Sequence, residues 1–334
     1  MTKNIPHSIL QKLEKRKEEG SFRDLLVPSG IDFFSNDYLG AAKLEFSSDR
    51  PEGSTGSRSL SGNSDYTQQL EKELAEFFQQ EAALLYNSGY VANLGLISAL
   101  AQRNEVILYD ALCHASIRDG IQMGLAKSYS FRHNDVDHLR QRLESVEGRA
   151  YVVVESLYSM DGDQAVLKEI AAVCDEYEAY LIVDEAHAGG VYGKQGRGLV
   201  NQYDLDEKIF AKVITYGKAF GSHGAVVLGS QELIEFLVNF SRPFIFTTAL
   251  SPHAQERIFS ITQQVATMDR EREELFRNIS YFREKAHKVN LKLNDSESAI
   301  QLLMIHGVEE SQKLAAEIRK QGFMVKAIMS PTVP

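Results

Sequence analysis

Six short apolar runs constrain this chain more than any other feature. They are AALLY (82–86), VILYD (106–110), YVVVE (151–155), YLIVD (180–184), KVITY (212–216) and AVVLG (225–229). None alternates strictly between apolar and polar residues, so each reads as a strand buried on both faces. Helical patterns separate most of them. LEKELAEFF places apolar residues at helical spacing within a helix expected from Tyr66 to Phe78, with Asp65 as its cap, and LKEIAAVCDEYE forms another. Strands apolar on both sides, with helices between them, predict an α/β fold built on a mostly parallel sheet covered on both faces.

The pattern changes around Phe240 to Pro252. A long helix is expected from about Pro252 to Val289. AIQLLMIHG then reads as a strand, EESQKLAAEIRKQG as a helix and FMVKAIM as a strand. The expected organisation is an N-terminal helical arm (1–35), a large domain (36–250) and a smaller α+β domain (251–334). The last stops in mid-architecture at SPTVP, as a truncated chain would. The first twenty residues lack the apolar core of a signal peptide and read as an amphipathic helix, with Ser8 as cap and Gly20 as stop. Ala82 to Gln102 carries no charge, but Asn87, Ser88, Gly89, Asn93 and Gly95 interrupt it, so no membrane span is expected. With 36 basic and 46 acidic residues the net charge is −10, which argues against a nucleic-acid partner. Two cysteines without a CxxC partner, Cys113 and Cys174, argue against a zinc site or a disulfide framework and fit the reducing cytoplasm.

Ligands of open parallel sheets sit at the carboxyl ends of the strands. There the chain carries His114 after VILYD, Ser159 after YVVVE, Asp184 and His187 after YLIV, and Thr215 and Lys218 at the end of KVITY. AALLY is followed by NSGY opening a helix, whose free N–H groups and dipole suit a phosphate. Each residue alone has an ordinary reading, as a turn, a cap or a solvated side chain. Together on one sheet edge they supply a phosphate cradle, a carboxylate, an imidazole and an amine. That set matches pyridoxal 5′-phosphate (PLP), which needs a lysine for its aldehyde and a carboxylate for its ring nitrogen. A carboxylate about 4 Å from a pyridinium contributes about 4 kcal/mol at an effective dielectric of about 20, or roughly three pKa units. The string DEAH (184–187) also occurs in nucleic-acid motor ATPases. No GxxxxGK[ST] loop accompanies it here, and no GxGxxG follows a strand, so neither an ATPase nor a dinucleotide-binding domain is supported.

The chain resembles the α-oxoamine synthases, PLP enzymes of the aspartate-aminotransferase fold type. The resemblance rests on SNDYLG (35–40), GSTGSRSLSGN (53–63), EAALLYNSGYVAN (81–93), HASIRDG (114–120), FRHND (131–135), SMDGD (159–163), VDEAHAGGVYGKQGRG (183–198), TYGKAFG (215–221) and SPTVP (330–334). It covers nearly the whole chain from about Phe33. Within the family the strings look most like the 8-amino-7-oxononanoate synthase branch.

The resemblance implies PLP-dependent transferase fold type I, with a seven-stranded sheet. It implies that Lys218 carries the Schiff base to PLP and moves the α-proton, that Asp184 pairs with the ring nitrogen, and that His114 stacks on the ring. His187 and Ser159 would bond the ring hydroxyl. The backbone of Gly89 and Tyr90, with Thr215, would hold the phosphate, and Thr247 or Thr248 would reach it from a neighbouring subunit of an obligate homodimer. Arg23, Asn36, Ser57 and Thr332 fall at substrate-side positions. The implied reaction joins L-alanine to pimeloyl-CoA or pimeloyl-carrier protein with loss of CO2, and needs no metal.

Family members carry, after PTVP, an arginine that binds the amino-acid carboxylate. Ending at Pro334, the chain is expected to show weak or absent synthase activity if these residues are the whole polypeptide. Two other readings remain at this level. One is a sister synthase: glycine C-acetyltransferase, a serine palmitoyltransferase-like enzyme or 5-aminolevulinate synthase. The other is a non-catalytic partner subunit on the same fold.

Overall fold

Residues buried on both sides of a strand need cover on both faces of a sheet, and each of the six apolar runs forms a strand of one covered sheet, five of them inside it and AALLY at its edge. A computed structural model describes residues 5–27 and 29–329. Its strands are β1 (Ile31–Asp32), β2 (Ala82–Tyr86), β3 (Val106–Asp110), β4 (Lys127–Phe131), β5 (Ala150–Glu155), β6 (Tyr180–Asp184), β7 (Ala211–Thr215), β8 (Ala225–Gly229) and β9 (Phe323–Met324). The α-helices are α1 (His7–Glu18), α2 (Asp65–Phe77), α3 (Gly89–Leu100), α4 (Ala115–Met123), α5 (Val136–Glu144), α6 (Leu167–Glu176), α7 (Leu199–Gln202), α8 (Gln231–Phe240), α9 (Arg242–Ile245), α10 (Pro252–Ala266), α11 (Asp269–Lys288) and α12 (Val308–Lys320).

The chain divides into two compact units. The larger comprises Asn36–Lys285 and Asp295–Gln301. It holds a seven-stranded sheet in the order β2-β8-β7-β6-β5-β3-β4. β8 runs antiparallel to both β2 and β7, and the other pairings are parallel. Successive side chains of a strand point to opposite faces, and both faces are covered here. Val152 and Val154 of β5 and Leu181 and Val183 of β6 join α2, α5, α6 and α10 in one core. Val153, Ile182 and Val213 join α3, α4 and α8 in the other. The strand missing from the apolar set is β4, KSYSF, an edge strand with partly exposed residues that needs little apolar surface.

Several expected boundaries move. Ser64, not Asp65, caps α2, its hydroxyl accepting the Thr67 N–H at 3.2 Å. Pro6 precedes α1, and Ser8 lies inside that helix rather than capping it. The long helix expected from Pro252 to Val289 is two helices, broken at Thr267 and Met268. α10 belongs to the larger unit rather than to a C-terminal domain beginning at 251. The reason is packing: Ile258, Ile261 and Val265 enter the core shared with β5 and β6.

The smaller unit takes the N-terminal stretch to Ser35, Ala286–Asn294 and the stretch from Leu302. In it β1 pairs in parallel with β9, Ile31 facing Phe323 and Asp32 facing Met324. AIQLLMIHG forms no extended strand, and Leu303 makes only an isolated bridge to Leu293. FMVKAIM pairs only at Phe323 and Met324. Among the described residues neither segment has a full-length neighbour to receive its backbone groups, and apolar content alone cannot supply one.

Candidate active site

The sheet register gathers polar groups onto one edge. Glu155, Asp184 and Thr215 are the last residues of β5, β6 and β7. By alternation they share the face of Val153, Ile182 and Val213, the face covered by α3 and α4. All three are buried. A buried carboxylate requires hydrogen bonds or a counter-charge, and Asp184 has them. Its Oδ2 accepts from Asn93 Nδ2 at 2.6 Å, and its Oδ1 accepts the Ala186 N–H at 2.8 Å.

Asn93 donates also to Ser116 Oγ at 3.0 Å, and Ser116 lies 2.8 Å from His114 Nδ1. His114 caps α4, Nδ1 accepting the Ser116 N–H at 3.2 Å. With Nδ1 so engaged, the proton of a neutral ring sits on Nε2. Asp184 and His114 are therefore held by one chain of bonds from α3 to α4. Desolvation of the His114 ring lowers its pKa; the Asp184 charge opposes this and Lys218 reinforces it.

His187 lies buried beyond Asp184, on the same turn. Its Nδ1 is 2.6 Å from the Tyr38 hydroxyl. Burial, with Lys218 and His114 nearby, pulls its pKa well below the usual imidazole value, so the ring is neutral. Lys218 is partly buried in the turn after β7. Burial lowers the pKa of its amine, while the charges of Asp184 and Glu155 pull it back up. A lysine so placed is more often a neutral nucleophile than a surface lysine is.

Ser88 caps α3 by accepting the Val91 N–H at 3.3 Å, and the Gly89 and Tyr90 N–H groups ahead of it have no partner within the helix. Gly89 lies against Thr215: a Cβ there would come within 3.0 Å of Thr215 Oγ1. The bare glycine and the threonine hydroxyl thus form the walls of a cradle that a larger side chain would fill. Tyr90 follows, edge-on to the His114 ring with centroids 6.4 Å apart. A phosphate on this helix end, a ring beside His114 and a ring nitrogen at Asp184 fit the residues present.

Other expected site residues stand as follows. Ser159 is partly buried in the turn after β5 and, among the described residues, makes no hydrogen bond to His187 or Asp184. Asn36 is exposed, and its Oδ1 accepts from the Tyr38 hydroxyl at 3.1 Å. Ser57 is partly buried, its carbonyl accepting the Leu60 and Gly62 N–H groups. Thr247 is partly buried and Thr248 exposed; the Thr248 carbonyl accepts from Asn87 Nδ2 at 3.0 Å, which ties this segment to the turn before α3. Arg23 is an exposed residue of the smaller unit. Thr332 lies outside the described residues.

Sequence reasoning passed over Asn93, Tyr38 and Glu155. Two of them leave a signal. Asn93 is a buried polar residue in the uncharged, mostly apolar stretch VANLGLISAL, four residues after Gly89. Glu155 ends an apolar strand just as Asp184 does. A cleft of about 600 Å³ lined by Gln79, Tyr192, Lys194, Arg197 and Phe276 contains none of these groups. No group of three or more His, Cys, Asp or Glu side chains among the described residues could hold a metal ion. No helix among them is long and apolar enough to cross a membrane.

The family model "Aminotransferase class I and II" matches residues 28–334. A relative from Halalkalibacterium halodurans named "Putative 8-amino-7-oxononanoate synthase" is 36% identical, over 98% of this chain and 89% of its own. Among solved structures, a serine palmitoyltransferase from S. paucimobilis with a bound PLP–myriocin aldimine superposes with a TM-score of 0.87 at 29% identity, covering 98% of this chain and 89% of that one. An 8-amino-7-oxononanoate synthase from Francisella tularensis superposes with a TM-score of 0.77 at 30% identity, covering 91% and 90%. The mixed seven-stranded sheet flanked by helices is thus that of the PLP-dependent transferases of fold type I.

Proposed function

The chain belongs to the aminotransferase class I and II family, as one of its PLP-dependent α-oxoamine synthases, and from that premise we propose that it condenses L-alanine with a pimeloyl thioester to 8-amino-7-oxononanoate, releasing CO2 and the thiol. The observation that carries this reading is the gathering of Asp184, the last residue of β6, and Lys218, in the turn after the neighbouring strand β7, at the carboxyl edge of one sheet.

When bound, PLP supplies an electron sink that spreads the negative charge developed at the amino-acid α-carbon. The chain's own residues do the rest. Asp184, held by Asn93 and the Ala186 N–H, keeps a fixed negative charge for the ring nitrogen. Lys218, its pKa lowered by burial, would hold the PLP aldehyde through its amine and, once the substrate's amine has displaced it, would take the α-proton on the freed Nζ. His114, oriented by Ser116, would stack on the ring, and His187, with Nδ1 committed to Tyr38, would have Nε2 available to the ring oxygen. Gly89, Tyr90 and Thr215 take the phosphate at the start of α3. Thr247 or Thr248 of a second subunit completes it, so the working unit is a dimer. Ser159 supports the ring oxygen, and Arg23, Asn36, Ser57 and Thr332 serve the substrate. The reaction belongs in the cytoplasm.

The likeness to serine palmitoyltransferase favours one second reading, a sister synthase with another amino acid and acyl chain. A single matrix assay tests both. Alanine, glycine and serine are each incubated with pimeloyl, acetyl, succinyl and palmitoyl thioesters, and thiol release is followed. Fastest release with alanine and a pimeloyl thioester is expected. Fastest release with serine and palmitoyl-CoA would replace that substrate pair by the sister reaction.

A further inference from the structure

The reaction as derived uses one carboxylate at the ring nitrogen, yet the sheet edge holds two. Glu155 and Asp184 are register partners on adjacent parallel strands, β5 and β6, whose backbones lie about 4.8 Å apart. Both point to the same face and both are buried, at 2% and 4% exposure. Glu155 Oε1 accepts the backbone N–H of His114 at 2.5 Å. Lys218 is the cation that acts on both. The other titratable groups facing Glu155 are Asp110 from β3, Cys113 from the turn after it and Tyr158 from the turn after β5. None of these adds positive charge, and Asp110 is already paired with His133.

Two neighbouring carboxylates with one cation do not both ionise cheaply in a dry site. Donor geometry decides which holds the charge. Asp184 receives two N–H donors, from Asn93 and Ala186, whereas Glu155 receives one. We propose that Glu155 is a positioning residue that retains a proton, so that Asp184 alone carries the negative charge of this edge while the Glu155 carbonyl oxygen seats His114 through its amide. Burial and the Asp184 charge together push Glu155 up to about 8, against the pull of Lys218 and the His114 N–H. The assignment deepens the functional reading only in taking Asp184 and His114 as the groups that meet PLP.

The test is infrared spectroscopy of the PLP-free protein, wild type minus E155Q. The difference isolates Glu155 from Glu185, another buried carboxyl, pushed up to about 7 by burial. A protonated-carboxyl C=O band is expected at pH 6 that fades as pH passes about 8. Absence of that band from the difference spectrum at pH 6 overturns the assignment, and if E155Q does not fold, wild type compared with a ¹³C-glutamate-labelled sample must show a label-sensitive carboxyl band that outlasts the loss of Glu185 near pH 7 and fades only near pH 8; no such band overturns it. A second readout separates positioning from bulk. Gln keeps an oxygen for the His114 N–H and Ala does not, so E155A should bind PLP roughly tenfold more weakly than E155Q. Equal affinities overturn the positioning role. Wild type that shows the band but takes up no PLP would sink the functional reading and leave the protonated Glu155 standing.

Discussion

Two parts of the same sheet edge put histidine to opposite uses. His133, after β4, is clamped between carboxylates: Nδ1 lies 2.9 Å from Asp110 Oδ1, and Nε2 lies 2.7 Å from Asp163 Oδ2. Burial alone would lower its pKa, but the bonds to Asp110 and Asp163 override that and push it up to about 10. Both ring nitrogens are occupied and the ring is charged, so His133 ties together the ends of β3, β4 and β5. His114 and His187 are instead neutral, lowered first by desolvation and then by Lys218. Each gives one nitrogen to the protein, to Ser116 or to Tyr38, and keeps the other. Residue type and sheet position are the same in the two regions. Direct hydrogen bonds to two carboxylates, which hold His133 charged and which neither His114 nor His187 makes, separate structural cement from a ring able to meet a ligand. The two lysines of KVITYGK divide likewise. Lys212 is fully buried and spent on the Phe78 carbonyl and Asp206, whereas Lys218 has no such bonds among the described residues and faces the site.

Substitutions should fall on one side of this contrast or the other. K218A should lower turnover by about 10⁴-fold, the upper range for acid–base catalysis, with an unchanged melting temperature. Appreciable activity in K218A would break the contrast between the two lysines. D184N should lower turnover by on the order of 10³-fold, since the neutral amide cannot hold the roughly three pKa units of ring basicity. H133Q should do the reverse, leaving PLP uptake and turnover in place while lowering unfolding free energy by about 3 kcal/mol at pH 6, because Asp110 is left buried without its cation. The sign follows from a folded pKa raised above the unfolded one: the stabilisation is complete below about pH 6.5 and lost as pH rises through about 10. The gap between wild type and H133Q in thermal melts should therefore narrow from pH 6 to pH 10. A constant gap would mean that His133 is not charged. H114A, the smallest effect, should weaken PLP binding by about 1 kcal/mol, the scale of one ring contact, with little change in melting temperature.

Much of this edge is legible in the sequence, for a physical reason. An interior parallel strand must be apolar on both faces, so YLIV declares itself, and Asp184 stands out against it. The same rule hides β4, whose edge position tolerates KSYSF. It also misleads at AIQLLMIHG, where apolar residues suit a strand that, among the described residues, has only the isolated bridge from Leu303 to Leu293. Lys218 and His114 were found because they follow strands. Asn93, Tyr38 and Glu155 act through partners distant in the chain: Asn93 on Asp184, Tyr38 on His187 and Glu155 on His114. Only the folded register brings such pairs together. The break between α10 and α11 was equally hidden, because helical spacing continues on both sides of Thr267 and Met268.

The central claim is that Lys218 and Asp184 meet one PLP ring. Borohydride reduction of the PLP-loaded protein, followed by peptide mass mapping, tests it most directly. The account predicts a yellow protein that bleaches on reduction and carries a pyridoxyl group on the peptide containing Lys218, with uptake markedly weakened in D184N. A protein that takes up no PLP, or one labelled at Lys212 or another lysine instead, would contradict it.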